Sequence, residues 1–319
     1  MGAHQNGQKF FSGIPQGSIL GPILFIIFVN DMPEVVGSVC KLFADDCKLY
    51  RCITNANEQV ELQDDIDKLC KWSKDWLLKF NIQKCKVVSY GNKRHDFSYT
   101  LLDNKGNRQN LTNEEGEKDL GIKFNSSLKF DEHINLTVNE VNKIIGLIKR
   151  TFKFMDKSLF LTLYKSLVRS HLDYGNLIYY PITKKNKQLI ENTQRRATRM
   201  VPELVGKSYG ERLKELNLPT LDFRRRRYDL IQTFKIIKGV DDVLPQKFFQ
   251  MSETDLRGHS LKLAKPRANK SARLHSFSNR VVSEWNKLPE EIVNAETVLG
   301  FKSRLDKLWA GMRFDTSIV

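Results

Sequence analysis

At 319 residues, 40% hydrophobic and 28% charged, the chain has the composition of a folded protein and the length for two domains. This excludes a disordered or low-complexity polypeptide. The net charge of +15 is unevenly placed: residues 1–150 hold 20 Lys and Arg against 19 Asp and Glu, and residues 151–319 hold 32 against 18. A basic half of this kind points to a polyanionic partner, most often nucleic acid, the plainer alternative being a solvated basic surface.

The five cysteines lie in the first third, their number is odd, and they form no CxxC pair or Cys/His cluster. Free thiols in a reducing, intracellular compartment (nucleus or cytoplasm) are therefore expected, without a disulfide or zinc framework. The first residues lack the charged-then-apolar layout of a signal peptide. The longest apolar run, Ile19 to Val29, is too short to span a bilayer and predicts a helix packed on all its faces.

In chain order, Ser12-Gly13-Ile14-Pro15 reads as a loop, because Pro15 holds Ile14 out of the helical region. A helix follows from Gly17-Ser18, with Pro22 tolerated in its first turn, and ends at Asn30-Asp31. Val39 to Phe43 and Cys47 to Ile53 are short apolar runs, with Ala44-Asp45-Asp46 as the turn between them. Two adjacent aspartates repel each other. They are either simple turn residues or ligands of a hard divalent cation that relieves the repulsion.

From Asn57 to Lys79 the spacing of Leu62, Ile66, Leu69, Trp72 and Trp76 predicts a helix, with Glu61, Asp64, Asp65, Lys68, Lys71 and Lys74 on its solvated face. Strands are expected at Lys86 to Tyr90 and Asp119 to Phe124, and a hairpin around Asp103-Asn104-Lys105-Gly106. After Asp131 the period becomes helical: Asp131 to Phe154, Lys157 to Asp173, Lys184 to Val201, Gly210 to Leu216 and Leu221 to Lys238. Val240 to Leu256 reads as a linker, followed by a basic stretch and closing helices at Ser278 to Lys287 and Thr297 to Trp309.

Two arginine clusters stand out in this half. Arg195, Arg196 and Arg199 span about one turn, and Arg224, Arg225, Arg226 and Arg227 run consecutively. A run of four encircles its helix, so some members are expected to pair with Asp222 or Asp229 while others contact phosphate. The six scattered histidines read as structural.

Taken together, SGIPQGSILGPILFIIFVND followed by FADD resembles the reverse transcriptase palm of non-long-terminal-repeat retrotransposons, the jockey-like group in particular. The first segment is similar to the family's polymerase motif B, and Phe43-Ala44-Asp45-Asp46 to the catalytic hairpin of motif C. Trp76 to Tyr90 resembles motif D, Asp119 to Ile122 with Phe130 to Ile134 the primer-grip region, and the basic segments the thumb and C-terminal extension. The fold so implied is α+β: a partial palm with a small antiparallel sheet over residues 1–130, a helical thumb-like domain over 131–239, and a basic extension over 240–319.

The activity implied is RNA-directed DNA polymerisation. The primer 3′ hydroxyl attacks the nucleotide α-phosphate, with two Mg²⁺ ions stabilising the attacking and leaving oxygens. By resemblance Asp45 and Asp46 are the catalytic metal ligands, and Gln16, Gly17 and Ser18 lie against the template and the incoming nucleotide. Lys84 is either a proton donor to the leaving pyrophosphate or a plain surface lysine. The partners implied are an RNA template, a DNA primer and deoxynucleoside triphosphates.

The family pattern places a fingers subdomain and a motif A aspartate before motif B. This sequence begins about ten residues before it, so the expectation is a polymerase truncated at its N-terminus and inactive alone. Three readings stay open: a reverse transcriptase by descent, a non-catalytic nucleic-acid-binding module, and a retroelement relic without function.

Overall fold

A computed structural model of the chain describes residues 4–5, 8–9, 17–91, 97–103, 105–253 and 258–317. It divides into two compact units, Met1–Glu115 and Gly116–Val319.

In the N-terminal unit, β1 (His4–Gln5) and β2 (Gln8–Lys9) form a short antiparallel ladder. Helix α1 (Leu20–Val29) holds Pro22 in its first turn, as expected, and closes at Asn30. The hairpin β3 (Val39–Phe43) and β4 (Asp46–Tyr50) follows, then α2 (Ala56–Asp75). Asn55 and Glu58 cap α2 reciprocally: the Glu58 amide donates to Asn55 Oδ1 and the Asn55 amide to the Glu58 carboxylate, both at 3.1 Å. Then come β5 (Lys86–Val88), β6 (Thr100–Leu102), β7 (Arg108–Asn110) and β8 (Thr112–Glu114). The predicted turn joins β6 to β7, with Gly106 at φ +85°.

Two expectations for this unit are corrected. The small antiparallel sheet is a set of separate two-stranded ladders, and one of them, β5 with β8, is parallel. Helix α1 is not packed on all sides. Only Val29 is buried, while Leu20 and Ile27 are 62% and 66% exposed. Its apolar circumference is as the sequence predicts, but the described residues cover one stripe of it. The core beneath is small: Val29, Met32, Leu69 and Trp72, with Leu42, Cys47 and Leu49 of the hairpin packed against it.

The second unit opens on β9 (Gly116–Asp119) and β10 (Ile122–Asn125), an antiparallel pair where the sequence predicts one strand. Leu120 and Gly121 both take positive φ, +43° and +83°, the signature of a two-residue hairpin turn. The helices then fall close to their predicted places: α3 (Asp131–Thr151), α4 (Lys157–Leu163), a π-helical turn (Tyr164–Val168), α5 (Arg169–Asp173), α6 (Lys184–Ala197), α7 (Tyr209–Glu215) and α8 (Leu221–Ile237). Short helices α9 (Ser271–Leu274), α10 (Phe277–Arg280), α11 (Val282–Trp285) and α12 (Glu290–Val293) lead to α13 (Val298–Leu308).

Two large apolar clusters hold this unit. One gathers α3, α4, the π turn, α6 and α7 around Tyr164, Val168 and Leu213. The other packs α8 against the C-terminal helices around Phe234, Trp285 and Phe301. The stretch read as a linker takes part in it: Phe249 is buried, and Met251 bridges Leu263. Residues 254–256 of that stretch lie outside the described residues.

Candidate active site

The paired carboxylates sit on the β3–β4 hairpin. Phe43 pairs with Asp46, so the turn proper is Ala44-Asp45 and Asp46 is the first residue of β4, one position earlier than the sequence suggests for that strand. A two-residue loop of this kind needs positive φ at its first central position, and Ala44 supplies it at φ +50°. The strands alternate: Cys40 and Leu42 turn toward the core, and Val39, Lys41 and Phe43 face out. Cys40 and Cys47 place free thiols 3.6 Å apart beneath the turn.

Asp45 and Asp46 are both exposed, and among the described residues neither is bonded to another side chain. They are hard oxygen donors not committed elsewhere, which fits a divalent cation in donor type. Among the described residues no group of three or more His, Cys, Asp or Glu lies close enough to hold a metal ion. The nearby Asp31 is structural: it accepts from Trp72 Nε1 at 3.1 Å and ties α2 to the end of α1.

One acid that supports this hairpin departs from its expected place. Asp65, predicted on the solvated face of α2, is 2% exposed and accepts from the amides of Gly37 and Ser38 at 3.1 and 2.7 Å, immediately before β3. Burial alone would raise its pKa. The bonds from Lys68, Ser38 and Gly37 outweigh it and hold Asp65 at about 2. The sequence does carry the signal, because Leu62, Asp65, Leu69 and Trp72 follow one helical face.

Of the other predicted residues, Gln16 lies outside the described residues. Gly17 has φ +87° with no atom near the place of a Cβ, so backbone conformation is what requires glycine there. Ser18 is half-buried beside it, and Lys84 is exposed at the end of a 3₁₀ turn (Ile82–Lys84).

In the second unit the arginines diverge. Arg196 and Arg199 are not buried, while Arg195 lies over the Tyr209 ring at 4.9 Å. Of the consecutive four, Arg224 pairs with Asp173, Arg226 with Glu284 and Arg227 with Asp306. Arg225 is 3% exposed, donating to Leu172 O and Tyr179 Oη at 2.9 and 3.0 Å, so it is turned inward and does not face a phosphate backbone. The expected partners are taken by others: Asp229 by Arg280, and Asp222 by Lys187. Sequence adjacency names the basic helix correctly but not the direction of each guanidinium, which is set by the helical turn and by acids far away in sequence.

The family described as reverse transcriptase (RNA-dependent DNA polymerase) matches residues 1–127. The RNA-directed DNA polymerase from mobile element jockey of Drosophila melanogaster is 26% identical over 205 residues, 60% of this chain and 22% of that protein. The probable RNA-directed DNA polymerase from transposon BS of the same fly is 27% identical over 240 residues, 68% of this chain and 25% of that protein. The jockey polymerase of Drosophila funebris is 32% identical over 134 residues, 39% of this chain and 14% of that protein. The chain therefore spans about a quarter or less of these curated relatives. No solved structure matches.

Proposed function

The chain belongs, through residues 1–127, to the jockey-like reverse transcriptases of non-long-terminal-repeat retrotransposons, and from that premise we propose that its Asp45–Asp46 turn is part of an RNA-directed DNA polymerase centre. The observation that carries the reading is the pair of exposed, uncommitted carboxylates on a two-residue hairpin turn. When bound there, Mg²⁺ would supply charge neutralisation at the phosphoryl group under attack. Asp45 and Asp46 would hold it, with Asp45 the more important. Lys84 would deliver a proton to the leaving pyrophosphate. Gln16, Gly17 and Ser18 would border the template and the deoxynucleoside triphosphate. Arg196 and Arg199 would lie along the phosphate backbone of the RNA template and DNA primer, since Arg224, Arg226 and Arg227 are engaged by carboxylates.

Two carboxylates do not complete a two-metal centre, since catalysis of phosphoryl transfer is almost entirely positioning and charge neutralisation. We therefore propose that this 319-residue chain is inactive alone and that a further metal-binding aspartate completes the site. Primer extension on a poly(A) template with an oligo(dT) primer and Mg²⁺ is the test. No incorporation is expected from the isolated chain. Incorporation is expected when a palm segment carrying such an aspartate is joined to it, and Asp45→Asn in the joined protein should abolish it. Incorporation that survives Asp45→Asn would sink the assignment.

A second reading, a nucleic-acid-binding module without catalysis, is favoured by the basic residues of the second unit, which stand on a core complete in itself. The proposed division into palm (1–130), thumb-like helices (131–239) and extension (240–319) goes with the first reading.

A further inference from the structure

The second unit holds an open cleft of about 570 Å³ that the arginine clusters do not by themselves reveal. Its walls come from the π turn and α5 on one side, from α8 on another, and from Asp306 and Arg313 near the C-terminus. Five cations line it, Lys165, Arg169, Arg224, Arg227 and Arg313, against two carboxylates, Asp173 and Asp306.

The pairing leaves positive charge over. Asp173 is shared, with Arg224 bonded to it and Arg169 Nε 3.7 Å away. Asp306 is taken by Arg227, with bonds of 2.5 and 2.8 Å. Lys165 is exposed, and among the described residues neither it nor Arg313 meets a carboxylate; the Phe314 ring lies 5.4 Å from the Arg313 guanidinium carbon. Burial, and next the charge of Arg224, depress the pKa of Arg169.

Two further features give the cleft more than charge. Tyr174 and Tyr228 line it with 55% and 46% of their surface open to solvent. Tyr174 is held in place by its hydroxyl, which donates to Leu120 O at 2.6 Å. Asn176, also on the wall, is 4% exposed, and its Oδ1 accepts no hydrogen bond in the structure. A 2′-hydroxyl or a base edge would satisfy it. The π turn belongs with these features, since single-turn expansions of this type recur at functional sites.

We propose that this cleft binds single-stranded RNA, its phosphates on Lys165, Arg169 and Arg313 and its bases against Tyr174 and Tyr228. Duplex would fit less well, because paired and stacked bases cannot present their faces to the tyrosines. The inference rests on the reading of the chain as nucleic-acid-binding, and does not depend on polymerase activity.

Fluorescence anisotropy of a labelled single-stranded RNA oligonucleotide with the full chain at two salt concentrations tests it, an RNA–DNA duplex of equal length and phosphatidylserine vesicles serving as further arms. Neutralisation by Lys165→Gln with Arg313→Gln, at sites that hold no ion pair, should weaken single-strand binding and flatten the log–log salt slope by about 0.7 per lost phosphate contact. Tyr228→Ala should weaken it by roughly tenfold, and Tyr228→Phe should restore it. If the chain binds the RNA with unaltered affinity in these variants while Arg196→Gln with Arg199→Gln weakens it, the cleft assignment is wrong and the general reading stands. Absence of binding to any nucleic acid would overturn both. Equal binding of single strand and duplex, or binding to the vesicles alone, would overturn the proposal.

Discussion

In the second unit five large aromatic side chains, Trp285, Phe234, Phe301, Tyr164 and Tyr179, are fully buried. In the first unit the largest apolar helix is mostly outside. Ile19, Leu20, Ile23, Leu24, Ile26 and Ile27 are all about half or more exposed, and the buried cluster beneath them has four members. Both sequences are apolar enough to fold, yet burial stabilises only where two faces meet, at about 25 cal/mol per Å² removed from water. The unit with the Asp45–Asp46 turn presents an apolar surface, whereas the unit with the basic cleft has closed its own core. Exposed apolar surface and closed core thus lie in different parts of the chain.

The largest expected effect comes from removing a ring from the closed core. Trp285 stacks on Phe301 at 6.1 Å and donates through Nε1 to Leu261 O at 2.7 Å. Trp285→Ala should cost about 3–5 kcal/mol. In the first unit Phe28, 37% exposed beside Trp76, should cost less than about 1.5 kcal/mol as Phe28→Ala, because part of its ring already faces water and less burial is lost. Urea titration of each variant, with hydrogen exchange read separately over residues 17–91 and 131–309, checks the comparison. Equal losses in the two units would remove the distinction.

How far the sequence foretells this difference can be judged from single elements. The helices of the second unit are legible because apolar spacing and cap residues such as Thr183, Ser208 and Thr220 agree with burial. The motif pair around Ser12–Asp46 is legible by resemblance, and its hairpin by the polar turn between two apolar runs. The exposure of α1 is not, because a sequence states which faces are apolar and not whether anything covers them. The Leu120-Gly121 turn is hidden by a leucine at positive φ, and the cleft by distance, since Lys165, Arg224 and Arg313 converge from three separate segments.

Two buried acids, one in each unit, should answer pH with opposite signs. Glu191 is 1% exposed; burial first, against bonds from Tyr209 and the Leu221 amide, raises its pKa to about 7 from an ordinary 4.5. Between those values the folded state holds a proton that the unfolded state has lost, so the contribution of Glu191 should weaken the second unit as pH rises from 4.5 to 7, by roughly 3 kcal/mol in all. Asp65, held at about 2 against an ordinary 3.8, works the other way: its contribution is present above 3.8 and lost as pH falls through 2. Glu191→Gln should flatten the neutral slope, and Asp65→Asn the acid one. The wrong slope responding to either substitution would refute the assignment.

The smallest effect bears most directly on the Ala44–Asp45 turn. Ala44 holds φ +50°, a conformation that costs an L-residue on the order of 1 kcal/mol and glycine almost nothing. Ala44→Gly removes that strain but adds freedom to the unfolded chain, so the substitution acts in two opposing directions. Relief of strain outweighs the added freedom where native φ is positive. The first unit should therefore gain a few tenths of a kcal/mol, roughly, and the second should not change. The gain should appear as slower amide exchange across Val39–Tyr50 alone. A loss of protection there would mean that the alanine methyl makes a packing contact that holds the turn. Asp45 would then owe its position to that contact, and the local rigidity of the two carboxylates would come from packing outside the β3–β4 ladder.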